Sequence, residues 1–143
     1  MKFTTIATAL FVAVASATEL KYDTNFDYST NLPLTSFACS DGANGLITKT
    51  GAQNAQQLKA KLKPNTYIVA GGIQGWNSPN CGQCWRARAP NGVTAQFVLI
   101  DKATPPYIVG GTEMFKLLSP SKTLQEGHVT VYVTELSRDA CFK

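Results

Sequence analysis

Apolar and polar residues alternate most regularly near the end of the chain, where Val129, Val131 and Val133 interleave with His128, Thr130, Tyr132 and Thr134. That two-residue period predicts a strand over 128–134, with the valines on one face and the other four on the opposite face. Trp85, Ala87 and Ala89 alternate with Arg86 and Arg88 and run into Pro90-Asn91-Gly92. Pro-Asn-Gly is turn chemistry, and Val93 to Ile100 returns as an apolar run, so 85–100 reads as a hairpin that delivers Asp101 at its end. Tyr67-Ile68-Val69-Ala70, bounded by Gly71-Gly72, predicts a buried strand. The helical period is clearest over Ala52 to Lys63, where Ala55, Leu58 and Leu62 share a face and Pro64 is the stop. Thr112 predicts an N-cap for a second short helix through Leu118, ahead of Ser119-Pro120. Gly75, Pro79 and Gly82 make the intervening segment a loop, Cys39 to Gly45 is turn-rich, and Lys21 to Leu34 is polar and aromatic. Short strands, Gly/Pro-rich turns and two short helices predict a small mostly-β barrel, whose closure removes exposed strand edges.

The first residues follow a different pattern. Lys2 precedes an apolar run, Ile6 to Val14, which ends in Ala15-Ser16-Ala17. A positive start, a short apolar stretch and small residues at the cleavage positions predict a secretory signal peptide over 1–17. Spanning a bilayer takes about 20 apolar residues, longer than this run or any other in the chain. Cleavage leaves residues 18–143, or 143 − 17 = 126 residues, expected as one exported domain without a membrane span.

Charge narrows the partners. The formal net charge is +4, and +3 without Lys2. The densest basic stretch is the spaced trio Lys59, Lys61 and Lys63, too sparse to argue for nucleic acid. No Asn-x-Ser/Thr sequon is present, so N-glycosylation is not expected.

All four cysteines, Cys39, Cys81, Cys84 and Cys141, lie beyond the leader, and an even number in an exported chain reads as two disulfides. Pairing Cys81 with Cys84 would close a tiny loop. Pairing each with a distant cysteine constrains the unfolded chain far more, roughly 3–5 kcal/mol per bridge. Both are therefore expected to reach outward, to Cys39 and Cys141 in one order or the other. A redox role for Cys81-Gly82-Gln83-Cys84 is disfavoured by the strand that follows, where a helix is wanted. Zinc is disfavoured by the spacings and by export. A papain-type nucleophile needs a histidine far downstream, and His128 lies only 128 − 84 = 44 residues past Cys84.

Three runs together are specific: Phe37-Ala38-Cys39-Ser40-Asp41-Gly42 with Gly45-Leu46; Gly71-Gly72-Ile73 leading to Gly75-Trp76-Asn77-Ser78-Pro79-Asn80-Cys81-Gly82-Gln83-Cys84-Trp85; and Pro90-Asn91-Gly92 followed by Ile100-Asp101. In this order the chain resembles the cerato-platanins of filamentous fungi, from about Tyr22 to Cys141. The resemblance implies a six-stranded double-psi β-barrel with two disulfides, Cys39–Cys81 and Cys84–Cys141. It implies secretion or attachment to the fungal cell wall and binding of chitin or N-acetylglucosamine oligomers, and of other wall polysaccharides, in a shallow groove. Expansin-like loosening of polysaccharide packing, perception by plants through a receptor as an elicitor, and no cofactor are further implications. Matched by position, the groove residues would be Asp101, Tyr22, Asp23, Asp41 and Gly42. The chain departs from the pattern in the run after Asp101, Lys102-Ala103-Thr104-Pro105-Pro106-Tyr107-Ile108, where Ile108 falls near a family asparagine. Asn77 stands where an Asp is common.

Hydrolysis of a glycosidic bond ordinarily uses two carboxylates. Of the nine acidic residues, only Asp101 ends an apolar strand in the expected groove, and the plainer reading makes it a carboxylate tied to a backbone N–H or to Lys102. Asp41 is expected to bond its own backbone in the turn, and His128 to be structural rather than part of a triad. A non-enzymatic sugar binder therefore leads, with a self-assembling surface protein second and a weak glycoside hydrolase third. Oligosaccharide binding also uses aromatic faces. Tyr22 and Tyr107 are the expected exposed ones, with Tyr107 joining the site, while Trp76 and Trp85 beside the cysteines are expected in the core.

Overall fold

The computed structural model describes residues 15–143. Most of the expected leader therefore lies outside the described residues. Six strands close into one barrel: β1 (Ser16–Tyr22), β2 (Thr66–Gly71), β3 (Cys84–Arg88), β4 (Thr94–Lys102), β5 (Tyr107–Gly110) and β6 (Val129–Leu136), in the order β1-β5-β2-β4-β3-β6. β1 with β5 and β2 with β4 are parallel, and the remaining pairs are antiparallel. The hairpin β3–β4 pairs Cys84 with Val98 through Arg88 with Thr94, as the alternation requires. Three short helices pack around it: α1 (Leu46–Thr50), α2 (Ala55–Lys61) and α3 (Thr112–Leu118).

The core is apolar. Leu20, Ile68, Val98, Ile100, Phe97 and Val131 are essentially inaccessible, and Met114, Phe115 and Leu118 of α3 join the same core. β4 is buried continuously from Phe97 to Ile100, because it lies between β2 and β3 and is covered from outside. The disulfides are Cys39–Cys81 and Cys84–Cys141, the outward pairing, with no free cysteine.

Several details differ from the sequence reading. α2 begins at Ala55, because Asn54 Oδ1 accepts the Gln57 N–H at 2.9 Å and caps it there. Thr112 is the first residue of α3 rather than its cap. Gly111 holds the cap position, and the Asp27 carboxylate accepts both the N–H (2.6 Å) and the hydroxyl (2.9 Å) of Thr112. A carboxylate from 85 residues away thus does the work that the local threonine was expected to do. Thr134 keeps its expected face but is buried, in a hollow it shares with Arg86, Arg88 and Tyr132. The sequence pattern does not predict β1, β5 or α1.

His128 is a side-chain partner of β1 rather than part of a triad. Its Nδ1 lies 2.8 Å from Glu19 Oε2, and the Thr130 hydroxyl donates to Glu19 Oε1 at 2.6 Å. The Thr130 hydrogen bond first, and then the His128 bond, hold the Glu19 carboxyl below its ordinary value. A lowered folded pKa means stability present above the unfolded value and lost as pH falls through the folded one. Glu19→Gln is therefore expected to cost about 0.5 kcal/mol at neutral pH, the scale of an exposed pair. The gap to the parent should close as pH drops below 4.5 in urea melts; a gap independent of pH would refute the linkage.

Candidate functional site

The site grows from an irregularity in β4. Between β2 and β4 the register runs Val69 to Leu99 and then Ala70 to Asp101, so Ile100 is an extra residue on β4. Such a bulge bends the strand and re-aims the next side chain. The segment around Cys39 covers the break: its N–H donates to the Ile100 carbonyl at 3.0 Å, and the Ala38 N–H donates to Asp101 Oδ1 at 3.0 Å. Asp101 is thereby half-buried and fixed, as the plainer reading anticipated, with its second oxygen outside that bond.

That carboxylate opens on a cleft of about 560 Å³. Across it stands Asp23, whose N–H extends the β1–β5 pairing to the Gly110 carbonyl and whose Oδ1 caps a short 3-10 turn through the Asn25 N–H at 2.8 Å. Lys21 and Lys102 bring two ammonium groups to balance the two carboxylates. Tyr107, 38% exposed, supplies the aromatic wall, and the Lys21 ammonium sits 3.8 Å from its ring centroid. One face of the ring is thus taken by a cation, which leaves the other for a ligand.

Of the expected residues, the structure brings Asp101, Asp23 and Tyr107 to this cleft and leaves three outside it. Tyr22 is exposed to 36% but points the other way, its ring meeting Phe115 edge-on at 4.9 Å. The two-residue strand period accounts for this, since Lys21 and Asp23 face the cleft and Tyr22 between them cannot. Asp41 and Gly42 belong to a separate surface knot around Trp76. Asp41 Oδ1 accepts the Trp76 indole N–H at 2.6 Å and the Ser40 hydroxyl at 3.4 Å rather than a backbone N–H of its own turn, and a Cβ on Gly42 would lie 3.0 Å from the indole and 2.8 Å from Asn77 Oδ1. Trp76 is 63% exposed, against the expectation of core packing, because this hydrogen bond and the Gly42 backbone prop it at the surface. Trp85 is half-buried rather than in the core, packed against its edge with its ring parallel to Phe97 at 6.5 Å between centroids.

Ile108 also changes meaning. It is buried and lines a hollow with Trp85, Phe97 and Val133, so its side chain is not part of the cleft that Tyr107 and Val109 line. Lys21, Asn25, Lys102 and Thr104 also line the cleft; of these, the alternation of β1 through Asp23 indicates Lys21, and no local pattern marks the others. Among the described residues no three His, Cys, Asp or Glu gather in a way that could hold a metal ion.

A family profile described as Cerato-platanin matches residues 18–143. The heat-stable 19 kDa antigen of Coccidioides posadasii is 34% identical over 152 aligned residues, covering 99% of this chain and 98% of the antigen. The cerato-platanin of Ceratocystis fimbriata f. sp. platani is 31% identical over 137 residues, 96% of this chain and 95% of the relative. Among solved structures, cerato-platanin 3 of M. perniciosa superposes with a TM-score of 0.75 at 28% identity, covering 87% of this chain and 98% of its own.

Proposed function

As the chain belongs to the cerato-platanin family, we propose that it is a secreted, non-catalytic protein that binds chitin-type oligosaccharides in the Asp101 cleft. The observation that carries this reading is the convergence of Asp101, Asp23, Lys21, Lys102 and one open face of Tyr107 on a single groove. Sugar hydroxyls need both donors and acceptors, and N-acetyl groups need a donor. The two ammonium groups and two carboxylates supply these, and the tyrosine face takes the C–H surface of a pyranose ring.

How the carboxylates are used supports binding over hydrolysis. Each accepts a backbone N–H on one oxygen, Asp101 from Ala38 and Asp23 from Asn25, which fixes it in the cleft wall and leaves its other oxygen for a sugar hydroxyl. Export through cleavage after Ala17, residence at the fungal wall and loosening of polysaccharide packing belong to the same reading. So does perception by plants. Two disulfides and no free thiol agree with an oxidising, extracellular place of work.

The test is an amide chemical-shift titration with N-acetylglucosamine tetramer. Saturable shifts are expected at Asp23, Asp101 to Thr104 and Tyr107, with none at Asp41 or Gly42. Tyr107→Ala should weaken binding about tenfold, the scale of one stacked aromatic. No saturable shift would turn the reading to self-assembly at a surface, which the exposed Trp76 favours. New reducing ends on chitin would restore the hydrolase.

A further inference from the structure

A second cavity, of about 470 Å³, shares no residue with the Asp101 cleft. Its frame is stiff. Leu46 N–H donates to the Cys39 carbonyl, Lys63 N–H to the Cys141 carbonyl and Lys143 N–H to the Lys61 carbonyl, so both disulfides and the last residues of the chain brace one wall or another. The floor is apolar. A Cβ built on Gly82 would lie 3.3 Å from Leu46 Cδ2, 3.6 Å from Arg138 Nη1 and 4.0 Å from Phe142 Cζ, so two apolar side chains and one guanidinium converge there.

The rim is basic. Lys49, Lys61, Arg138 and Lys143 line the cavity, and Asp139 is the one acidic side chain among its lining. Among the described residues the only acid–base pair within 4.0 Å is His128 with Glu19, so none of these cations has a carboxylate partner. The Arg138 guanidinium is aimed by its Nη2 donating to the Pro79 carbonyl at 3.1 Å, and it keeps further N–H donors in hand. Burial first, and then the neighbouring Arg138 charge, press the Lys49 ammonium below its ordinary value. An anion seated among these groups would relieve that repulsion.

We propose that this cavity is a second binding site, and that its ligand is an acidic oligosaccharide, a short run of uronate residues. Several cations call for more than one negative charge on the ligand. The Phe142 and Leu46 floor calls for a C–H-rich body carrying those charges, which inorganic anions lack. A pyranose ring bearing a carboxylate meets both demands: its carboxylate pairs with Arg138 and Lys49, while its ring face rests on Phe142.

Trigalacturonate is the probe, added to labelled protein while amide shifts are followed, with sodium sulfate and a neutral trisaccharide as parallel arms. Saturable shifts are expected at Lys49, Gly82, Arg138 and Phe142, and not at Asp101. Affinity should fall at least threefold between about 20 and about 200 mM salt, as screening of a partly exposed site requires. Arg138→Gln should weaken binding about tenfold, the loss of one charge-assisted contact. Because Arg138 also ties down Pro79, the exposed Lys49→Gln and Lys61→Gln variants are the safer pair, each expected to weaken binding about fivefold with an unchanged spectrum elsewhere. Any of three results would overturn the site: no saturable shift, equal shifts from sulfate or the neutral trisaccharide, or undiminished affinity in both lysine variants.

Discussion

Cys84→Ala combined with Cys141→Ala is expected to melt about 15 °C below the parent, the shift that a loss of about 4 kcal/mol produces in a domain of this size. The bridge closes a loop of 57 residues, and the entropy of an unfolded chain held at two such distant points is sharply reduced. Removing both partners leaves no lone thiol to cross-link, so the change reports on the constraint and on the small volume lost. Cys39→Ala with Cys81→Ala should behave almost identically, because its loop of 42 residues enters only through a logarithm. Taken together the two bridges contribute about 8 kcal/mol, which is comparable to the whole stability of an ordinary domain, so a chain lacking both is expected to be largely unfolded at physiological temperature. Calorimetry decides the matter. A drop of only a few degrees for the first pair would mean that the C-terminal segment is held by its backbone bonds to Lys61 and Lys63, and not by the sulfur bridge.

What the sequence revealed, and what it hid, divides along physical lines. β6 was legible from its two-residue period, and the β3–β4 hairpin from the alternation in β3, the Pro-Asn-Gly turn and the apolar run of β4, which is buried on both faces. β5 has four residues beside two prolines, and α1 has five, too few to complete a pattern. β1 was hidden for another reason: Leu20 is its one fully buried residue, and the others face solvent or are half-covered. The outward pairing of the cysteines was legible from loop lengths alone, since the long-loop preference is a property of the unfolded chain. In the cleft, Asp101 could be found because it ends an apolar run. The bulge that aims it could not, because an extra residue at Ile100 leaves the apolar run unbroken. Trp76 misled because an aromatic beside cysteines suits a core, while the Asp41 oxygen that holds it outside comes from 35 residues away. Long-range polar contacts of this kind, the Asp27 cap on α3 included, leave no local period to read.

The turn from Cys39 to Leu46 supplies the other large effect. Gly45→Ala is expected to cost about 3 kcal/mol or more, although its backbone angle suits any residue, since φ is −72°. The reason is space. A Cβ at position 45 would overlap the carbonyl oxygens of Asp41 and Ser40. The Ser40 carbonyl cannot swing aside. It accepts the Ile47 N–H at 3.0 Å, and the Cys39 carbonyl beside it accepts the Leu46 N–H at 3.1 Å, which together start α1 and anchor it to the first disulfide. Relief therefore means moving the backbone that carries Asp41, and with it the brace on Trp76. Gly51 makes the contrast. It sits at the end of α1 in open space, but at φ +77°, so Gly51→Ala should cost about 1 kcal/mol, the price of a left-handed residue alone. Gly72 has neither a close neighbour nor a left-handed φ, and Gly72→Ala should fall within about 0.5 kcal/mol of the parent. Urea midpoints should rank the three in that order. Equal midpoints for the position 45 and position 72 variants would mean that the turn yields as a unit, and the rigidity ascribed to the Trp76 knot would have to come from somewhere other than these carbonyls.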